Sequence, residues 1–204
     1  MTCVLCDTLL NDQPTWQHFL GIQQDLSACP TCFEKFERID CIEQDDVLDS
    51  VHSLYAYNEA AREYLHQFKF MQDVALADVF AQPLRKVLRD PKKIIVPIPM
   101  HPTNKKKRTF SQVDALLEAA NISYQLLLAK TTESVMGEKS RSERLAMTEL
   151  FQVTADIPSN EAVYVLVDDI YTTGTTLRHA ARALKQRGVH RVEAVTLFRP
   201  IREK

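Results

Sequence analysis

The sequence predicts an α/β domain, with a parallel sheet flanked by helices, behind a small N-terminal cysteine module. From about Asp49 onward, strand and helix signals alternate, as in proteins whose parallel strands are joined by right-handed crossovers. The strongest strand signal, at 162–167, runs directly into two acids, a turn of small hydroxyl residues and a helix. Four of the five cysteines precede this alternation. The predicted division is residues 1–45 for the cysteine module and 46–204 for the α/β domain.

The individual elements follow from hydrophobic periodicity, since alternation predicts strands and apolar residues three or four apart predict helices. Gly188 is expected to end the last helix, because glycine readily takes the left-handed conformation there. In a parallel sheet, ligands bind beyond the carboxyl ends of the strands, here after Ile98 and Val167. The predicted strands are an alternating one at 51–57, buried apolar runs at 94–98 and 162–167, a weak one at 125–129 and a final one at 190–198. The predicted helices are 59–70, 74–87, 110–120, 140–150 and 175–187.

Composition and charge exclude several classes of protein. A net charge of −2 argues against nucleic-acid binding through bulk charge, so any such binding needs a local basic patch. The longest apolar runs are too short to span a membrane, and the N-terminus lacks the basic and apolar regions of a secretory signal. We therefore expect a cytoplasmic protein without membrane insertion, in which paired cysteines are more often metal ligands than disulfides.

The N-terminal cysteines form two Cys-x-x-Cys pairs, Cys3 with Cys6 and Cys29 with Cys32. Two such pairs supply the four thiolates of a tetrahedral zinc site, although the spacer between them is slightly longer than in most zinc ribbons. Four protein thiolates leave no open position, so the predicted Zn2+ is structural rather than catalytic. A redox dithiol pair and free buried cysteines are the alternatives. The fifth cysteine, Cys41, is interpreted as a small buried residue.

The segment at 165–176 carries the features of a phosphate-binding turn. A buried strand leads through Asp168 and Asp169 to a tight turn and a helix N-terminus, whose unpaired N–H groups and partial positive charge suit a phosphate. Gly174, one of four glycines in the chain, permits close approach of the backbone to a ligand. The two acids would repel a phosphate and suit the vicinal hydroxyls of a ribose, although an ordinary turn with acidic and threonine caps is the alternative. The hydroxyl donors of the turn are Thr172, Thr173, Thr175 and Thr176.

A second loop at the same predicted edge of the sheet is basic. The strand at 94–98 leads through a Pro-Met-His-Pro run to four consecutive cations, which can bind pyrophosphate or a nucleic-acid backbone. A solvated charged loop is the alternative. His101 is a candidate general base by position only, and histidine can equally satisfy backbone groups. The four cations are Lys105, Lys106, Lys107 and Arg108.

Binding of single-stranded nucleic acid normally joins such a basic segment to aromatic rings that stack on bases. Phe68, Phe110 and Tyr171 are the candidates, and each of them can equally be a core residue. Tyr171 is favoured among the three, because it lies in the phosphate-binding turn rather than on a periodic face.

The order hydrophobic strand, Asp-Asp-Ile, Tyr, Thr-Thr-Gly-Thr-Thr resembles the signature of the phosphoribosyltransferases. The resemblance implies a type I phosphoribosyltransferase fold. It also implies that Asp168 and Asp169 hold the ribose hydroxyls of phosphoribosyl pyrophosphate, that the following loop holds its 5-phosphate, and that Mg2+ binds its pyrophosphate. The loop residues so implied are Tyr171, Thr172, Thr173, Gly174, Thr175 and Thr176.

Across nearly the whole chain, the order of motifs is similar to that of the ComF family. The motifs are the four-cysteine module, the Leu-His-Gln-Phe-Lys-Phe run at 65–70, the Pro-x-Pro-x-His-Pro run at 97–102, the basic loop and the phosphate loop. The resemblance implies a cytoplasmic competence factor for natural transformation, which binds incoming single-stranded DNA and the helicase-like ATPase ComFA.

The departures from the family pattern concern catalysis. Thr109 stands where the family usually has a glycine, and its Cβ obstructs the close backbone approach expected at a pyrophosphate. Met136 and Met147 stand near positions where polar residues are expected. An active phosphoribosyltransferase that uses phosphoribosyl pyrophosphate and Mg2+ is therefore the alternative function, and a zinc-bearing scaffold with a vestigial pocket is a third.

Overall fold

Seven strands form within residues 1–10, 27–100, 108–130 and 150–201, the parts of the chain that the computed structural model describes. They are β1 (Arg38–Glu43), β2 (Ser50–Ala56), β3 (Lys93–Pro97), β4 (Leu128–Lys130), β5 (Phe151–Val153), β6 (Val163–Ile170) and β7 (Arg191–Arg199). Five of them build one sheet in the order β1-β2-β7-β6-β3. β1 runs antiparallel to β2, and the other neighbours in this sheet are parallel. β4 and β5 form a separate antiparallel pair.

The α-helices in the described parts are α1 (Pro30–Phe33), α2 (Glu59–His66), α3 (Ala81–Leu88), α4 (Gln112–Ala119) and α5 (Thr175–Gln186). Two irregular turns extend them. A π-helical turn, Gln67–Met71, continues α2, and a 3-10 helix, Val74–Phe80, leads into α3. Apolar residues recur at similar intervals in π-, 3-10 and α-helices. The periodicity that predicts helices at 59–70 and 74–87 therefore does not show which of the three types forms.

Helices cover both faces of the sheet, as the strand pattern of β6 shows. Val165 and Val167 belong to one buried cluster, together with apolar residues of α2, α3 and α4. Tyr164 and Leu166 point the other way, into a second cluster that contains the buried face of α5. Because successive side chains of a strand alternate between faces, β6 is apolar on both. The predicted α/β architecture, a mostly parallel sheet flanked by helices, is confirmed.

The predicted strands at 51–57, 94–98 and 190–198 are confirmed to within about a residue, and the strand predicted at 162–167 continues to Ile170. Helices predicted at 110–120 and 175–187 are also confirmed. Gly188 follows α5 with a φ of 91°, the left-handed conformation expected at a helix end.

The sequence analysis did not predict two of the strands, β1 and β5. β1 alternates only between exposed and half-buried positions, because it forms the edge of the sheet. β5 has three residues and pairs with β4, which is itself the shortened form of the strand predicted at 125–129. The helix predicted at 140–150 falls on residues that, except for Leu150, lie outside the described parts.

An aromatic cluster joins the cysteine-rich segment to the α/β domain. Phe36, which follows α1, lies with its ring centroid 4.9 Å from that of Phe80, 5.9 Å from that of Tyr64 and 6.2 Å from that of Phe198. All four rings are buried. β1, between this segment and β2, pairs with β2 in the central sheet. The two parts of the chain therefore share a core, while the boundary between residues 45 and 46 stays a prediction.

Among the helices of the described residues, none is both long enough and apolar enough to cross a lipid bilayer.

Candidate functional site

β3 and β6 end side by side at one edge of the sheet. Pro97 lies opposite Val167 in the parallel register, and the N–H of Ile98 donates to the carbonyl of Val167 at 2.9 Å. The segments that follow these two strands therefore leave the sheet at the same edge. This is the edge at which parallel α/β sheets bind ligands.

The turn after β6 opens α5 as the sequence predicts. Gly174 has a φ of 73°, and α5 begins at the next residue. The hydroxyl of Thr173 lies 2.9 Å from that of Thr175, and it also accepts the N–H of Thr175 at 3.4 Å. Hydroxyl groups and the first N–H groups of a twelve-residue helix thus surround one small space, an arrangement suited to a phosphate.

Arg178 holds this turn in place, and the sequence analysis did not assign Arg178 to the site. Its Nη1 donates to Oδ2 of Asp45 at 2.8 Å, while its Nη2 donates to the carbonyl of Thr173. A Cβ at Gly174 would lie 2.6 Å from Oη of Tyr171 and 2.8 Å from Nη1 of Arg178. Glycine is therefore required for two reasons, the left-handed backbone and the close packing of these side chains. The sequence does show an arginine one turn into α5. It does not show that this arginine contacts the turn, because its partner Asp45 is distant in the sequence.

Asp168 and Asp169 occupy the carboxyl end of β6. Asp168 is half-buried and Asp169 is buried. The N–H of Asp169 donates to Oδ1 of Asp168 at 2.9 Å. Burial, reinforced by the neighbouring charge of Asp169, raises the pKa of Asp168 to about 7. One of the two acids can therefore change its protonation state near neutral pH, whereas the other is held by a cation.

That cation is Lys69, in the π-helical turn after α2, and the sequence analysis did not assign it to the site. Its Nζ forms an ion pair with Oδ2 of Asp169, and only 19% of the Lys69 side chain is exposed. A cation here neutralises one acid of the pair and provides a donor next to any bound hydroxyl or phosphate. The run at 65–70 contains this lysine, but its contact with β6 depends on the tertiary fold.

The aromatic candidates are mostly core residues. Phe68 is fully buried, and Tyr171 is 6% exposed with the guanidinium of Arg199 over its ring at 4.8 Å. For these two rings the alternative of a core residue therefore holds, because too little of either ring is exposed for a base to stack on it. Phe110 is half-buried and packs against Phe68, with ring centroids 5.4 Å apart.

Of the four predicted cations, the described residues include Arg108, while Lys105, Lys106, Lys107 and the nearby His101 lie outside them. Nη1 of Arg108 donates to Oε1 of Gln112 at 2.8 Å. The next residue, Thr109, donates its N–H to Oε1 of Gln72 at 3.0 Å. The backbone N–H at the position of the family glycine is thus engaged by a side chain of the π-helical turn segment.

The four N-terminal cysteines converge on a second, separate site. Their Sγ atoms all lie within 4.8 Å of one another, and those of Cys6 and Cys29 are 3.8 Å apart. A tetrahedral zinc ion with Zn–S distances of about 2.3 Å places its sulfurs roughly 3.8 Å apart, so the cluster fits a metal ion. Burial raises the pKa of Cys32 to about 12, so its thiolate needs a cation beside it.

Short backbone loops hold these cysteines in place. The N–H of Cys3 donates to the carbonyl of Thr8 at 2.9 Å, which closes the first pair into a tight loop. The N–H of Cys29 donates to Sγ of Cys3 at 3.2 Å, so the second pair also contacts the first directly. Cys41 lies outside the cluster, half-buried in β1.

The fold and the phosphate turn define the class of this protein, a phosphoribosyltransferase-type α/β domain with an N-terminal four-cysteine cluster. A family model described as "Phosphoribosyl transferase domain" matches residues 125–204. Competence protein ComFC of Streptococcus pneumoniae is 31% identical, over 98% of this chain and 100% of its own length. Competence protein ComFC of Bacillus subtilis is 28% identical, over 98% of this chain and 95% of its own. The chain therefore belongs to the ComF family, as its motif order predicts.

Among solved structures, the similarity is lower. A hypoxanthine phosphoribosyltransferase from Staphylococcus aureus matches 63% of this chain and 62% of its own, with 19% identity and a TM-score of 0.35.

Replacement of Gly174 by alanine is expected to destabilise the protein more than replacement of Gly188. Both glycines have positive φ, which costs a residue with a Cβ about 1–2 kcal/mol. At Gly188 the new Cβ meets only the Asn160 side chain, at 3.2 Å, whereas at Gly174 it overlaps two anchored side chains. We expect Gly174→Ala to lose a further 1–3 kcal/mol or so in urea unfolding. Equal losses for the two variants would contradict this account of the turn.

Proposed function

We propose that this chain is a cytoplasmic competence factor for natural transformation, which binds incoming single-stranded DNA and a ComFA-like helicase. The relatives that match nearly its whole length are named competence proteins, which supports the general role. The observation that supports the DNA-binding part is that β3, which leads into the basic segment, ends beside β6, which leads into the phosphate turn. The phosphate turn follows β6, and the basic segment that ends in Arg108 follows the neighbouring strand β3.

The two segments suit different parts of a sugar-phosphate ligand. The turn from Tyr171 to Thr176 offers N–H and hydroxyl donors to one phosphate, while Asp168 and Asp169 suit vicinal hydroxyls. DNA lacks the 2′-hydroxyl, so a phosphoribosyl compound matches the acidic pair better than a DNA strand does. The basic segment suits a phosphodiester backbone. We therefore assign the acidic pair and the phosphate turn to a phosphoribosyl ligand, and the cationic rim of the site, residues 105–108, to single-stranded DNA.

The rim can be tested by charge reversal. Replacement of Lys105, Lys106, Lys107 and Arg108 by glutamate is expected to weaken binding of a labelled single-stranded oligonucleotide by more than tenfold at low salt. Each lost phosphate contact should also flatten the dependence of log affinity on log salt concentration by about 0.7. Fluorescence anisotropy at several salt concentrations measures both effects.

The control reverses Arg182 and Arg187, exposed cations toward the far end of α5, and so makes half of the charge change. This variant should bind the oligonucleotide like wild type apart from a small general charge effect. If the two variants bind alike, the basic segment has no part in DNA binding.

We assign a structural zinc ion to the four cysteines. Four thiolates close the coordination sphere, so the ion supplies folding energy and no substrate position. Because Cys3 and Cys32 are buried with Phe36 in the main core, the metal also holds one side of that core in place.

Cys29→Ser is expected to abolish zinc binding and to expose residues 1–40 to limited proteolysis. The physical reason is that the segment has too little core of its own to stay folded without the metal. Cys41→Ser is the control, since Cys41 lies outside the cluster. Elemental analysis of protein purified without added metal should show one zinc per chain in wild type and Cys41→Ser. A wild-type protein free of zinc would refute the assignment.

An active phosphoribosyltransferase is the second candidate function. The acidic pair supports it, because Asp168 and Asp169 stand side by side at the carboxyl end of β6, an arrangement that suits the vicinal hydroxyls of a ribose. The contact of Thr109 with Gln72 opposes it, because the backbone N–H at this position is already engaged. Mg2+, if bound with phosphoribosyl pyrophosphate, would offset the charge of the pyrophosphate.

Phosphoribosyl pyrophosphate with Mg2+, at a hundredfold excess over its Kd, should raise the free energy of unfolding by about 2.7 kcal/mol. Asp168→Asn combined with Asp169→Asn should remove this gain, whereas Glu161→Gln, an exposed acid before β6, should keep it. Thermal unfolding measures the gain, and a coupled assay measures pyrophosphate release. Release that disappears in the double variant would favour the enzyme, and a shift without release would favour binding alone. No shift in wild type would remove this ligand from the proposal.

A further inference from the structure

Phe70 is an exposed aromatic ring at the rim of the candidate site. It lies in the π-helical turn Gln67–Met71, and 65% of it is exposed, whereas Phe68 in the same turn is buried. The ring of His66 lies against it at a centroid distance of 5.3 Å, and the guanidinium carbon of Arg108 lies 5.4 Å from its centroid. The ring is therefore held by two neighbours while much of its surface faces solvent.

The turn that carries Phe70 is tied to the site at two points. The residue before Phe70, Lys69, forms the ion pair with Asp169. The residue after the turn, Gln72, accepts the N–H of Thr109, which follows Arg108. The backbone that carries the ring is therefore anchored both to the acidic pair and to the end of the basic segment.

We propose that Phe70 is the stacking platform for a base of single-stranded DNA, through the part of its ring that Arg108 leaves open, while the guanidinium of Arg108 faces the strand's phosphates. This inference rests on the proposed function, and it names the ring that recognises the strand. Non-specific single-strand sites combine a cationic groove with aromatic rings on which bases stack. Of the three rings that the sequence suggests for this role, Phe68 and Tyr171 are buried and Phe110 is half-buried against Phe68. Phe70, which the sequence analysis did not select, is exposed, and its ring contacts a cation.

The charges near Phe70 indicate where the phosphates of the strand bind. The guanidinium of Arg108 lies over the ring. A groove of about 430 Å³ reaches along α2 to the π-helical turn and is lined by Glu59, Arg62 and Glu63. Arg62 is ion-paired with Glu59, so this groove offers no net positive charge to a phosphate. We therefore assign the phosphates of the strand to Arg108 rather than to this groove.

The test compares Phe70→Ala with Phe70→Trp and with the control Met71→Ala, whose side chain is similarly exposed at 70%. The probes are a fluorescein-labelled oligothymidylate and an abasic oligonucleotide of the same length. We expect Phe70→Ala to bind oligothymidylate about fivefold to a hundredfold more weakly than wild type. Binding of the abasic strand and the salt dependence should not change, because no phosphate contact is lost. Phe70→Trp should retain or exceed wild-type affinity, and Met71→Ala should stay within about twofold.

Each other result overturns the inference in a recognisable way. Wild type that binds neither strand removes the proposed DNA binding and this platform with it. Wild-type binding with unchanged affinity in Phe70→Ala removes the platform alone. Equal weakening toward both strands would mean that Phe70 only positions Arg108. Loss of helicase binding with DNA affinity intact would make the exposed surface a protein contact. Thermal midpoints verify folding, and Phe70→Leu replaces the alanine variant if that variant is destabilised.

Discussion

The parallel pairing of β6 on both of its edges is the constraint from which the site follows. β3 holds one side through Val167, and β7 holds the other as far as Ile170. Immediately beyond β6, the N–H of Tyr171 donates to the carbonyl of Phe198 at 2.8 Å. Hydrogen bonds to β7 therefore continue into the first residue of the turn. The acidic pair, the glycine and the start of α5 therefore have fixed positions before any ligand arrives. Such preorganisation reduces the entropy that binding must overcome.

The features that the sequence predicted are those encoded by neighbouring residues. Alternation of apolar and polar residues predicts β2, and apolar runs predict β3 and β6. The order of residues after Val167 predicts the turn and α5. The paired spacing of the cysteines likewise predicts their convergence. The contacts that complete the site were not predictable in this way. Arg178 with Asp45 and Lys69 with Asp169 each join residues that are far apart in the sequence and meet only in the fold.

The exposure of the aromatic residues could not be predicted from the sequence either. Tyr171 lies in a loop, which suggested exposure, yet Arg199 covers one face of its ring and only 6% of the residue is exposed. Phe68 and Phe70 both lie in a run that the sequence predicts as helix, yet in the π-helical turn Phe68 is buried and Phe70 is exposed. One wider turn changes which residues face the core. Local winding therefore decides which of these two rings faces solvent.

β1 has a consequence for the behaviour of the protein in a crowded cell. A sheet edge with open N–H and C=O groups invites another chain to add a strand, and such additions lead to aggregation. β1 occupies that edge beside β2 with charged residues such as Arg38 and Glu43. Its register shifts between Arg38 and Cys41, and Asp40 takes a positive φ of 41° at the irregularity. A charged, irregular edge strand is a poor template, so β1 disfavours the addition of another strand at this edge of the folded sheet.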